Sequence, residues 1–149
     1  MKYIVILLLS MSILGCAGKN RGWEAVSIVA NQNLEYEKAK SLLTKVMDES
    51  RHERLLYIET RIKKDKYELV GQLTKRSMIT GGVAMQDKII PIYFDSLNEI
   101  KVQKRSPSVV IICIYVNERL VSQFITNEHG LEDFTSAIET LKHYFNLSS

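Results

Sequence analysis

The chain has 149 residues, of which 46% are hydrophobic and 25% charged, and its formal net charge at pH 7 is +3. This composition is typical of a globular domain and excludes a disordered or collagen-like chain. Lys2 is the one charged residue before Cys16, so a chain that begins at Cys16 carries +2. So weak a positive charge gives no support for nucleic-acid binding.

The first residues have the pattern of an export signal. Met1-Lys2 is a short basic start, and an uncharged apolar run extends to Leu14. About a dozen apolar residues are too few for a membrane-spanning helix, which needs about 20. The run ends in Ile13-Leu14-Gly15-Cys16, which resembles the lipobox of bacterial lipoproteins, although Leu14 replaces the Ala, Ser or Thr that the family prefers.

The resemblance implies cleavage after Gly15 and a covalent lipid on Cys16. No other cofactor is predicted. Ala17 stands where an Asp retains many lipoproteins in the inner membrane, which implies the outer membrane if the host has one. We therefore expect a signal peptide at 1–15, a lipidated N-terminus and tether at 16–30, and a single periplasmic or surface domain at 31–149.

The first part of the domain is predicted to be a helix followed by a hairpin. Apolar residues between 33 and 50 fall on one stripe at helical spacing. From residue 54 the hydrophobic period changes to two, and two alternating runs flank the polar turn Lys63-Lys-Asp-Lys66. This pattern is typical of an antiparallel β-hairpin.

Four more strands and a final helix are predicted after the hairpin. The strands are placed at 88–94, 99–104, 109–116 and 120–125, with Pro91 favouring a sheet edge. A tight turn is predicted at Asn117-Glu118. The last helix has a regular apolar stripe, and Lys142 and His143 are interpreted as last-turn cations that favour the helix dipole. Its stripe consists of Leu131, Phe134, Ile138, Leu141 and Phe145.

The predicted fold class is α+β, with an N-terminal helix and six or seven antiparallel strands in a curved sheet or small barrel, closed by the C-terminal helix. The later part, from Ile89 to Phe145, resembles pleckstrin-homology-like domains. In that resemblance Val109 to Val116 and Leu120 to Ile125 form the last hairpin, and Phe134, Ile138 and Leu141 lie on the closing helix. The helix before the first strand departs from that family, and an NTF2-like or other helix-plus-sheet fold is the alternative.

The sequence gives little indication of catalysis, and we expect a protein that is not an enzyme. His52, His129 and His143 have no metal-ligand spacing, so no metal site is predicted. Glu128-His129 beside Glu132-Asp133 is interpreted as an ordinary helix start. Cys113 lies in an apolar run and is expected to be a buried hydrophobic residue. No Ser lies in a GxSxG motif, and a hydrolase is the least favoured hypothesis.

Basic residues are concentrated in the first hairpin. In pleckstrin-homology-like domains this hairpin often contacts anionic head groups, so the resemblance implies a possible anionic-ligand surface. Its residues are Arg61, Lys63, Lys64 and Lys66.

Two functional hypotheses follow. The first is an envelope lipoprotein, held to the membrane by its lipid, that acts through contacts with an envelope protein partner. Its role would be assembly or piloting of an envelope machine, or a protective, immunity-type role. The second is a domain that binds lipid or an anionic envelope polymer.

The lipid anchor gives a direct test. We expect Cys16→Ser to move the protein from the membrane fraction to the soluble fraction and to abolish metabolic labelling with palmitate, because the acyl chains of the lipid attached to the Cys16 sulfur supply the apolar burial that holds the protein at the membrane. Cys113→Ser is the matched control and should leave both readouts unchanged. Palmitate labelling of Cys16→Ser would contradict the assignment.

Overall fold

A computed structural model describes residues 22–53, 55–76 and 81–149. These residues form eight strands and two helices, and all strand pairings among them are antiparallel. In chain order the elements are β1 (Glu24–Ser27), α1 (Tyr36–Glu49), β2 (Arg51–His52), β3 (Leu55–Ile62), β4 (Lys66–Arg76), β5 (Val83–Tyr93), β6 (Glu99–Ser106), β7 (Val109–Val116), β8 (Arg119–Thr126) and α2 (Glu128–Ser148).

The strands form two sheets. The five-stranded sheet has the order β1-β6-β7-β8-β2, and the three-stranded sheet has the order β3-β4-β5. The α+β class and the closing C-terminal helix are thus confirmed, whereas the described strands form no closed barrel. The barrel alternative was wrong because β3–β5 and β6–β8 hydrogen-bond as separate sheets.

Both predicted hairpins are confirmed. Lys63 donates its backbone N–H to the Lys66 carbonyl at 2.8 Å, which closes the turn between β3 and β4. Asn117 and Glu118 connect β7 and β8 with φ angles of 48° and 63°. Two successive positive φ angles give the twist that a two-residue hairpin turn requires.

Two predicted boundaries need correction. β1 lies in the segment 16–30 that was predicted to be a tether, and it pairs with β6 from Glu24↔Val102 to Ser27↔Glu99. The folded part therefore begins earlier than residue 31. β5 begins at Val83, five residues before the predicted start at residue 88, because its pairing with β4 extends to Arg76.

The core lies between the two helices and the inner faces of the sheets. The ring of Phe134 on α2 meets Phe124 on β8 edge to face, with centroids 5.2 Å apart. Leu43 of α1 and Ile112 of β7 are fully buried in the same cluster. Leu131, Phe134, Ile138 and Leu141 of the predicted stripe are buried, and Phe145 is partly buried.

Neither Lys142 nor His143 lies in the last turn as predicted, because α2 continues to Ser148. The Lys142 side chain is buried, and its Nζ donates to the Leu97 carbonyl at 3.0 Å and to Asn98 Oδ1 at 2.5 Å. Nζ also lies 3.4 Å from the carbonyl of Ile28, just after β1. Desolvation lowers the pKa of Lys142.

The ring contact predicts a large stability effect. We expect Phe134→Ala to lower the free energy of unfolding by about 3–5 kcal/mol, because it leaves a cavity against Phe124. Leu147→Ala is the control: Leu147 is 71% exposed on the same helix, and surface substitutions usually change stability by no more than about 0.5 kcal/mol. Denaturant unfolding measures both, and equal losses would contradict this account of the core.

Candidate functional site

The predicted basic residues meet at one end of the β3–β4 hairpin. Lys63 and Lys66 both approach the buried carboxylate of Glu68, with Nζ–Oε1 distances of 2.9 and 3.2 Å. Hydrogen bonding from Lys63, together with that from Lys66, lowers the pKa of Glu68. The Lys66 ammonium also lies 4.9 Å from the centre of the Tyr93 ring, a cation–π geometry.

The other two basic residues are on the same hairpin. Arg61 makes two hydrogen bonds of 3.0 Å to the carboxylate of Glu59, and Lys64 is exposed in the turn. The structure therefore brings all four predicted residues together but places three of them on carboxylates. An anionic ligand would have to compete with Glu59 and Glu68 for these cations.

The same face of the three-stranded sheet carries an apolar surface that the sequence analysis missed. Cross-strand register places Val70 between Glu59 and Ile89, and side chains directly opposite one another point to one face. Leu56 is 46% exposed and Ile89 54%. Gln72 and Asp87, joined by a hydrogen bond of 3.1 Å, lie on the same face between Ile89 and Met85. We call the apolar residues of this face the apolar outer face, and they are Leu56, Val70, Val83, Met85 and Ile89.

A sequence signal for part of this surface exists. Val83, Met85 and Ile89 lie at alternate positions, and the period of two is interrupted by Asp87 in the same phase. The alternation lies directly after Gly81-Gly82, a pair that by itself predicts only a turn or a bulge. The extension of β5 could therefore be predicted from the sequence. Which residues of β3 and β4 lie beside it depends on the strand register, which the sequence pattern does not give.

A cleft of about 780 Å³ separates the end of α1 and the start of β3 from the outer side of β7 and β8. Its lining is mixed: Ile58, Ile111 and Ile125 are apolar, whereas Arg51 and Arg105 are cationic. It is an open surface cleft with both acids and bases at its rim, and no single ligand chemistry is favoured by this lining.

His52 lies beside the cleft, at the junction of the two sheets. Its Nε2 lies 2.7 Å from the carbonyl oxygen of Met47, and its ring stacks on Phe124 at 5.6 Å. Nδ1 is buried and has no hydrogen-bond partner among the described residues. Desolvation lowers the pKa of His52 from its usual 6.5, so the neutral ring is the form that fits the folded state.

Cys113 is buried, as expected, and its thiol lies 3.5 Å from Gln123 Oε1. Desolvation raises the pKa of this thiol, which leaves it a weak nucleophile at neutral pH. His129 lies on the exposed start of α2, with Nε2 3.4 Å from Asp133 Oδ2. Within residues 22–53, 55–76 and 81–149 no three His, Cys, Asp or Glu side chains are grouped as metal ligands.

The predicted lipidation residue, Cys16, lies outside the described residues, as do the predicted signal peptide and the first part of the predicted tether. Neither α1 nor α2, the helices of the described part, has the length and apolar character of a membrane span. No family model, no curated protein and no solved structure matches the chain.

His52 predicts an acid-dependent loss of stability. Because its folded pKa lies below 6.5, the unfolded chain gains this proton first as the pH falls. The free energy of unfolding should therefore decrease below pH 6.5, until the folded His52 is itself protonated. We expect His52→Gln to reduce the pH dependence of the free energy of unfolding. Denaturant unfolding at pH values above and below 6.5 measures it. His143→Gln is the control, and an unchanged pH slope in His52→Gln would refute the prediction.

Proposed function

We propose that this protein is a membrane-anchored envelope lipoprotein, attached by lipid on Cys16, that acts through contacts with a protein partner. The proposed process is assembly or piloting of an envelope machine, or a protective role of the immunity type. The proposed location is the outer membrane where the host has one. Catalysis is not part of this proposal.

The apolar outer face is the observation that supports a protein partner. Exposed apolar side chains grouped on one face are characteristic of interaction sites, whereas single exposed ones are ordinary. Met85 and Val83 are 50% and 65% exposed, and methionine is enriched at the centre of protein interfaces.

The charged end of the same face is suited to the edge of such an interface. Lys63 and Lys66 are paired with Glu68, and Arg61 is paired with Glu59. Cations already paired with carboxylates lie next to an apolar area, which is the arrangement of a polar rim around an interface centre.

The same ion pairs make binding of lipid head groups or an anionic polymer the weaker hypothesis. A phosphate group would have to displace Glu68 from Lys63 and Lys66, and Glu68 is itself nearly inaccessible. This competition removes much of the attraction that four neighbouring basic residues suggest in the sequence.

Site-specific photo-crosslinking in cells tests the proposal. A photoreactive amino acid at Leu56 should crosslink the full, anchored chain to one dominant envelope protein, because Leu56 lies where the apolar outer face meets the cleft. The matched control is Leu147, which is also an exposed leucine but lies at the end of α2. The same crosslinked proteins from both positions, or none from Leu56, would count against the proposed surface.

A further inference from the structure

The backbone of β5 has one side that no described strand uses. Pro91 lies directly opposite Glu68 of β4 in an uninterrupted ladder. Proline has no N–H, so Pro91 must occupy a pair that exchanges no hydrogen bonds with β4. Pairs with and without hydrogen bonds alternate along an antiparallel ladder. Every second residue of β5 before Pro91 is therefore also in a pair without hydrogen bonds to β4, and its N–H and C=O groups point away from β4. These outward-facing residues are Val83, Met85, Asp87 and Ile89.

The unused side of β5 is long and accessible. Every residue from Val83 to Ile89 is exposed, on both faces of the strand. β5 pairs with β4 alone among the described strands. Natural proteins protect exposed edges by shortening or covering them, or with charged residues and proline. Here the charges are Asp87 and Lys88, and Pro91 blocks pairing only beyond Ile89. This edge is therefore a surface on which another strand can be added.

We propose that a second copy of this chain pairs with β5 edge to edge, antiparallel, about a two-fold axis that passes through Gln86. The two three-stranded sheets then form one continuous six-stranded sheet. This inference rests on the proposed function, since it names the partner for part of the apolar outer face, the part on β5.

The positions of the outward-facing backbone groups support this register. With Gln86 opposite Gln86 of the second copy, Met85 lies opposite Asp87 and Val83 opposite Ile89. Each of these pairs joins two outward-facing residues, so all four outward-facing residues of each copy form hydrogen-bonded pairs. Pro91, which lacks an N–H, remains outside the paired segment.

The apolar side chains and the charges support the same register. Val83 and Ile89, which are 65% and 54% exposed, cover one another across the interface. Lys88 lies opposite Ala84, away from the other copy's Lys88. A shift to an axis at Asp87 would place two aspartates directly opposite each other, which is destabilising. It would also place Pro91 opposite Val83, in a pair that requires an N–H.

Disulfide trapping in cells tests the register in the full anchored chain. In Gln86→Cys the two new cysteines form a pair without backbone hydrogen bonds, with Cα atoms about 4.5 Å apart, which suits a disulfide. Ala84→Cys is the matched control, on the same strand and the same face. Its two cysteines are offset by four residues, about 13 Å along the strand, which is beyond the reach of a disulfide.

We expect Gln86→Cys to give at least about tenfold more disulfide dimer than Ala84→Cys on non-reducing gels, because only its geometry permits the bond. The unmodified chain controls for Cys16 and Cys113. Equal dimer from both variants, or none from Gln86→Cys, would overturn the proposal. If Leu56 crosslinks to a different protein and Gln86→Cys gives no dimer, the inference that the partner is a second copy would be wrong. The proposed function would not be affected.

A second substitution separates pairing from chance collision. Met85→Pro removes one outward-facing N–H, as Pro91 already does, and leaves the ladder with β4 intact. Added to Gln86→Cys, it should reduce the disulfide dimer about tenfold if paired strands hold the cysteines together. An unchanged dimer yield with an unchanged circular dichroism spectrum would show that β5 pairing is not the cause.

Discussion

The buried face of α2 is the constraint on which the rest of this structure depends. Its apolar residues, Phe134 among them, pack on α1 and the five-stranded sheet, and the same helix carries the buried ammonium of Lys142. A buried charge is costly unless oxygen atoms replace its water. The carbonyls of Leu97 and Ile28 and the side chain of Asn98 provide these oxygens. The helix, the segment just after β1 and the β5–β6 turn are thus held together by one side chain, that of Lys142.

The three-stranded sheet is only partly held by this core. Tyr67, Leu69 and Ile92 on its inner face are fully buried, whereas β5 from Val83 to Ile89 is exposed on both faces. The part of the sheet farthest from the core therefore carries the apolar outer face and the unused backbone groups. If Cys16 anchors the chain as proposed, copies on one membrane share a surface, and this raises the effective concentration for strand pairing.

The candidate surface shows how residue type and residue position give different answers. Four basic residues lie within six positions, and the resemblance to pleckstrin-homology-like domains implies an anionic-ligand surface there. In the sheet, Lys63 and Lys66 meet Glu68, which follows Lys66 by only two positions, and Arg61 folds back on Glu59. The relevant quantity is the charge left after pairing, and that depends on which side chains share a face. By the same logic, Val70 and Ile89 become neighbours only because β4 and β5 pair in one register.

The sequence by itself determined the elements whose hydrophobic period is long and regular. α2, the two hairpins and the edge position of Pro91 follow from local spacing and turn chemistry, and these do not depend on distant residues. Short or distantly paired elements were decided by the tertiary structure: β1 has four residues and exists through its pairing with β6. The division into two sheets, the burial of Lys142 and the apolar outer face were decided in the same way. Each requires residues far apart in the chain to meet, and no local pattern specifies which of them do.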